Sequence, residues 1–198
     1  MNRKLATVAL AFGLALSTPL ALAADATGLS KKKQTDLGLY LTAKEAYDAI
    51  QKEGDKLLFV DVRTRAEVNF LGMAKVADSN IPYMTLSEFY SWDDKKNNFQ
   101  MELNDEFLPK MEQRLAAKGL SKDDKIILMC RSGSRSASAA NLMKKAGYSN
   151  VYTVVDGFEG DKAKSGPLKG QRVVNGWKNS ELPWSYKLQG GKMYISAE

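Results

Sequence analysis

Short apolar runs closed by a charge alternate along the chain with amphipathic stretches of helical period. The runs LLFVDV (57–62), KIILMC (125–130) and VYTVV (151–155) predict buried strands, because an unbroken apolar run of this length suits a strand covered on both faces. Thr42, with Glu45 three positions later, makes a capping box, and the helix it opens, AKEAYDAIQKE, is predicted to stop at Gly54. RTRAEVNF predicts a short helix or turn. Phe107, Leu108, Met111 and Leu115 fall at helical spacing within 105–118, and Gly119 ends that helix. Ala139, Leu142, Met143 and Ala146 share the face of a further helix, stopped at Gly147. Strand and helix therefore alternate, which predicts one α/β domain with a mostly parallel central sheet flanked by helices.

Three regions break the alternation. Ile81-Pro82 predicts extended chain, since proline disfavours helix before it. Residues 83–104, rich in aromatic and charged side chains, read as an insertion or irregular excursion. The tail from 156 is rich in Gly, Lys and Pro, and carries Trp177, Trp184 and Tyr186. Before the first helix, residues 24–41 are polar, include Lys31-Lys32-Lys33, and read as a flexible lead-in. Residues 1–23 have the layout of a cleavable signal peptide: Arg3 and Lys4, an apolar run, then the small residues Ala21 and Ala23 before the expected cut. The run is too short to span a membrane comfortably, so no stable insertion is expected after cleavage, and the expected location is the periplasm or another exported setting.

Composition then narrows the chemistry. The 198 residues include no histidine and one cysteine. Ser-His-Asp and Cys-His pairs, His-ligated metal sites, intrachain disulfides and CxxC redox pairs are all excluded. No metal and no organic cofactor is expected. The formal charge of +6 falls to +4 without Arg3 and Lys4, a mild excess that favours small anions weakly and gives no case for nucleic acid.

Any covalent chemistry on sulfur therefore belongs to Cys130. It ends a predicted buried strand and precedes a predicted helix, the place where open α/β sheets bind ligands. The connecting residues are Arg131, Ser132, Gly133, Ser134, Arg135 and Ser136. Small residues let the backbone curl so that successive N–H groups point inward, and a helix N-terminus adds partial positive charge. Such a loop cradles an anion and stabilises a thiolate at its base without a histidine. A buried structural cysteine before an ordinary helix is the competing reading.

C-R-S-G-S-R-S after an apolar strand resembles the active-site loop of the rhodanese family of sulfurtransferases. Other segments are similar in order: FVDVRTRAEV with Asp61, Arg63 and Glu67; SNIPY with Asn80, Ile81 and Pro82; AGYSNVYTVVDGFEG; and NGWKNSELPW with Gly176, Trp177, Leu182, Pro183 and Trp184. The resemblance spans 42–188, leaving 189–198 as a C-terminal tail. It implies a rhodanese-like three-layer fold and a double displacement. Cys130 would take sulfane sulfur from a small anionic donor such as thiosulfate, hold it as a persulfide, and pass it to cyanide, a small thiol or a protein. Arg131 and Arg135 would orient the donor, unless Arg135 is tied to a carboxylate of the fold. Asp61, Arg63 and Glu67 are expected to form a polar network bracing the first strand's end, with a direct substrate role as the second reading, and Trp177 and Trp184 to pack.

Two departures qualify the resemblance. Gly72-Met73-Ala74 stands where the family often has Gly-His-Ile, and the closing segment is split by an insertion near 161–175. Two other functions remain open at this point. A Cys-dependent phosphatase or arsenate reductase resembles this site but has its loop arginine six residues after the cysteine; here that position is Ser136 and the arginine is Arg135. A non-catalytic module on this fold would carry sulfur without turnover or only bind a partner; partner binding unaffected by Cys130→Ala would mark the binding role.

Overall fold

The computed structural model describes residues 27–195, so the expected signal segment lies outside the described residues. In chain order the elements are β1 (Tyr40–Leu41), α1 (Ala43–Glu53), β2 (Leu57–Asp61), α2 (Arg65–Leu71), β3 (Met73–Ala74), β4 (Ser79–Asn80), β5 (Met84–Leu86), β6 (Trp92–Asp93), β7 (Asn98–Phe99), β8 (Met101–Leu103), α3 (Phe107–Ala117), β9 (Lys125–Met129), α4 (Ser134–Lys145), β10 (Val151–Val154) and β11 (Trp184–Ser185). The central sheet runs β1-β10-β9-β2-β4, with every pairing parallel. The α/β class and the flanked parallel sheet expected from the sequence are both present.

The alternation of side chains along each strand divides the core in two. Leu58, Val60, Ile126 and Leu128 pack with Phe107, Met111 and Leu115 of α3 and Ala139, Ala140 and Met143 of α4. Leu57, Phe59, Ile127 and Met129 point the other way, onto Ala43 and Ala46 of α1, Val68 of α2, Phe158 and Trp177. Each fully buried Leu, Ile or Phe contributes about 1.5–3 kcal/mol, and these two layers cover both faces of β2 and β9. The predicted capping box holds α1: Glu45 N donates to Thr42 Oγ1 while Glu45 Oε2 accepts from Thr42 N. Gly54 ends it, as expected.

Three regions carry more structure than their composition suggested. The sheet reaches back into the expected lead-in, where Tyr40 and Leu41 are buried and pair with Thr153 and Val154. Residues 83–104, expected to be an insertion or irregular excursion, form a regular β-arm, with β5 antiparallel to β8 and β6 antiparallel to β7 at its tip. The tail after 188 turns back onto the domain. Ser79 Oγ donates to the Lys192 carbonyl, and Met193 packs against the second core layer. Trp177 is fully buried against Phe59 and Trp184 is half-buried on β11, so both pack as expected. Among the described residues no helix is long and apolar enough to cross a membrane.

Candidate active site

Cys130 follows β9, which lies between β10 and β2, and so stands at the carboxyl edge of the sheet's middle. Its side chain is 1% exposed. Gly133, at φ +97° and ψ −20°, turns the chain into α4, and its N–H donates to Cys130 Sγ at 3.2 Å. The Ser136 hydroxyl, one turn into α4, serves either the sulfur at 3.6 Å or the Gly133 carbonyl at 3.0 Å. The N–H groups of Ser134 and Arg135 lie in the first turn of α4, where no intrahelical carbonyl can accept them. Arg131 is exposed, and Ser132, Ser134 and Arg135 are partly so.

The chain after β10 clamps this loop from below. Phe158 N donates to the Cys130 carbonyl at 2.8 Å and Glu159 N to the Arg131 carbonyl at 2.9 Å. A Cβ at Gly133 would stand 2.2 Å from the Val155 carbonyl oxygen, and one at Gly157 would stand 2.6 Å from the Ser132 nitrogen. Both positions have positive φ, so glycine serves conformation and contact together. Gly157 and Val155 were not singled out in the sequence, where only their neighbourhood in VVDGFEG gave a signal.

The expected network of Asp61, Arg63 and Glu67 divides in two. Asp61 and Arg63 form a fully buried ion pair: Arg63 Nη2 donates to Asp61 Oδ2 at 2.7 Å and Nε to Oδ1 at 3.0 Å. Nη2 also donates to the Gly72 carbonyl at 2.7 Å, and the guanidinium lies 3.9 Å above the Phe158 ring. This pair thus ties the end of β2 to the segment that clamps Cys130. Glu67 turns instead to the loop. Its carboxylate accepts from both Arg135 Nη1 and Nη2, while also closing the capping box of α2 with Thr64. Arg135 is therefore tied to a carboxylate of the fold, and Arg131 is the loop arginine left to meet an anion. Among the described residues Arg131 makes no ion pair.

Burial alone would raise the Glu67 carboxyl. The Arg135 hydrogen bonds and charge, the Thr64 N–H and the Arg63 charge outweigh it and hold the group at about 2. The same pairing raises Arg135, against a burial effect that lowers it. Because the folded value lies below the unfolded one near 4.3, ionised Glu67 contributes stability that is complete above pH ~4.5 and is lost as pH falls toward ~2. Glu67→Gln is expected to remove this component, on the order of 2 kcal/mol after allowance for a pair that keeps some solvent contact. Denaturation midpoints of both proteins, measured at intervals from about pH 6 down to about pH 2, test it. The two curves should converge at the acid end; parallel curves would contradict the pairing.

One residue near the site went unnoticed in the sequence. Arg172, from the segment 161–175, donates to the Gly160 carbonyl at 2.6 Å. Burial lowers its pKa first and the Arg131 charge second, while Cys130 acts in the opposite direction. Nothing in the spacing of that segment could have joined it to the loop.

Comparison with known proteins agrees with this geometry. A family model described as the Rhodanese-like domain matches residues 42–164. An uncharacterized protein of Rickettsia conorii is 32% identical over 146 residues, covering 74% of this chain and 96% of that one. Rhodanese-like domain-containing protein 9, chloroplastic, of Arabidopsis thaliana is 29% identical, over 62% of this chain and 54% of its own length. The crystal structure of Rv0390 from M. tuberculosis superposes with a TM-score of 0.53 at 27% identity, over 75% of this chain and 97% of that one. With a family model covering more than half its length and a Cys130 loop at the carboxyl edge of a parallel sheet, the chain belongs to the rhodanese family.

Proposed function

We propose that this protein is a sulfurtransferase that carries sulfane sulfur on Cys130. The observation that carries the reading is the Gly133 N–H donated to Cys130 Sγ, with the Ser136 hydroxyl within reach, at the base of a loop that precedes a helix N-terminus. The Gly133 N–H favours negative charge on sulfur, as does the Ser136 hydroxyl when it turns from the Gly133 carbonyl, and the chain offers no histidine to do so. Family membership supports the same class of chemistry. With thiosulfate as donor, the Cys130 thiolate attacks the outer sulfur. The new S–S bond forms as the bond to the sulfonate group breaks, and sulfite leaves. Cyanide then attacks the outer sulfur of the persulfide, thiocyanate leaves, and Cys130 returns as thiolate. Arg131 orients the anionic donor, and Arg135 braces the loop through Glu67. No metal or organic cofactor takes part. The apolar segment 1–23 supports an exported, periplasmic setting.

The phosphatase reading needs an arginine free to encircle an oxyanion. Here Arg135, one position short of the spacing that such a loop uses, has both terminal nitrogens on Glu67. The purified protein is expected to form thiocyanate from thiosulfate and cyanide while leaving p-nitrophenyl phosphate unchanged. Cys130-dependent hydrolysis of the phosphate, without thiocyanate, would sink the proposal.

A further inference from the structure

A cleft of about 480 Å³ lies between the β-arm and the Cys130 loop. Met84, Leu86, Phe99 and Met101 of the arm line it beside the polar Lys96, Asn98 and Gln100, and Arg131 and the Arg135–Glu67 pair line it from the domain. The arm's ladder explains the apolar wall. Leu86 lies opposite Met101, and Met84 is two residues from Leu86, so the three share one face of the hairpin. Trp92 and Tyr90 meet Phe99 edge-on, with ring centroids 5.3 and 6.4 Å away, and hold that ring in place. Leu86 and Phe99 are nevertheless 41% and 49% exposed. An apolar wall facing a cationic loop suits a ligand with one apolar and one anionic end. The volume also falls within the range of about 300–1,000 Å³ typical of pockets for organic ligands. A sulfur oxyanion such as thiosulfate would leave the apolar wall wet.

We infer that the cleft seats the sulfur acceptor, and that this acceptor is an amphipathic thiol, with an anionic group on Arg131 and an apolar body along Met84, Leu86, Phe99 and Met101. This rests on the sulfurtransferase reading of Cys130. The acceptor thiolate attacks the outer sulfur of the Cys130 persulfide. A new S–S bond forms, the persulfide S–S bond breaks, and Cys130 leaves as thiolate. The transferred sulfur keeps its oxidation state, so no oxidant or reductant is required. Charge complementarity selects the occupant: Arg131 is unpaired among the described residues, whereas Arg135 is held by Glu67 and Lys96, at the rim, by Asp93.

The test uses straight-chain alkyl sulfonates from butane to octane sulfonate as unreactive probes, titrated calorimetrically into the unmodified protein. Affinity is expected to rise by about two- to fourfold per methylene, the gain for an apolar group leaving water. In Leu86→Ser/Phe99→Ser this dependence on chain length should flatten, while sulfur loading of Cys130 by thiosulfate stays at the level of the unmodified protein. With mercaptoalkanoates as acceptors, KM should fall as the chain lengthens, and the double variant should lose that trend with little change in kcat. Binding independent of chain length, or a trend unaltered in the double variant, overturns the inference, as does transfer only to a folded protein thiol. If Cys130 never loads sulfur but the chain-length trend persists, the sulfurtransferase reading fails and the amphipathic cleft stands. Loading without the trend has the reverse meaning.

Discussion

Cys130→Ser is expected to leave the fold intact and to reduce thiocyanate formation at least ~10⁴-fold, down to the uncatalysed background. Serine fits the site: its hydroxyl oxygen can accept the Gly133 N–H that now reaches sulfur at 3.2 Å. Packing in the first core layer changes little, since the two side chains differ by one atom. Oxygen, however, cannot hold sulfane sulfur as a persulfide does, and the chain has no second cysteine to substitute. The loss should therefore appear in kcat and not in thermal stability. A Tm close to that of the unmodified protein, together with absent turnover, is the expected pair of results. Retained turnover would place the chemistry elsewhere.

The second large effect concerns stability. Arg63→Met is expected to cost about 3–5 kcal/mol, because it leaves the Asp61 carboxylate fully buried without its cation. Only the Arg63 backbone N–H, donating to Asp61 Oδ1 at 3.1 Å, would remain. Removing both partners, as in Asp61→Leu/Arg63→Met, should cost less than the sum of the single changes, since no charge is then stranded. Denaturant unfolding of the two single variants and the double variant measures this coupling. Additive losses would mean that the pair does not act as a unit. Activity should fall in Arg63→Met even where the protein remains folded. Loss of the guanidinium removes one of the groups packed on Phe158, whose N–H holds the Cys130 carbonyl.

What the sequence made legible follows from the range of the interactions involved. The capping box of Thr42 and Glu45, the buried runs of β2, β9 and β10, and the helix carrying Phe107, Met111 and Leu115 are local patterns, and each became the element it predicted. Cys130 and its loop were legible for the same reason, since nucleophile, glycine turn and helix start lie within seven consecutive residues. Two-residue strands leave no period to detect, so Tyr40–Leu41 was read with the polar segment around it. The arm was obscured because β5 and β8 are separated by the β6–β7 tip, and exposed aromatics mask the alternation. Pairings across long stretches of chain were equally hidden. Glu67 belongs locally to Thr64, and only the fold brings Arg135 to it. Arg172 donates to the Gly160 carbonyl, a contact that no spacing encodes.

The central claim is that Cys130 carries the sulfur, and intact mass spectrometry of the protein tests it most directly. After thiosulfate, the unmodified protein should gain the mass of one sulfur atom. Cyanide should remove it with release of thiocyanate, and Cys130→Ser should show no gain. A protein that gains no sulfur from thiosulfate or from a small persulfide donor, or one that gains it equally with serine at position 130, would contradict the account.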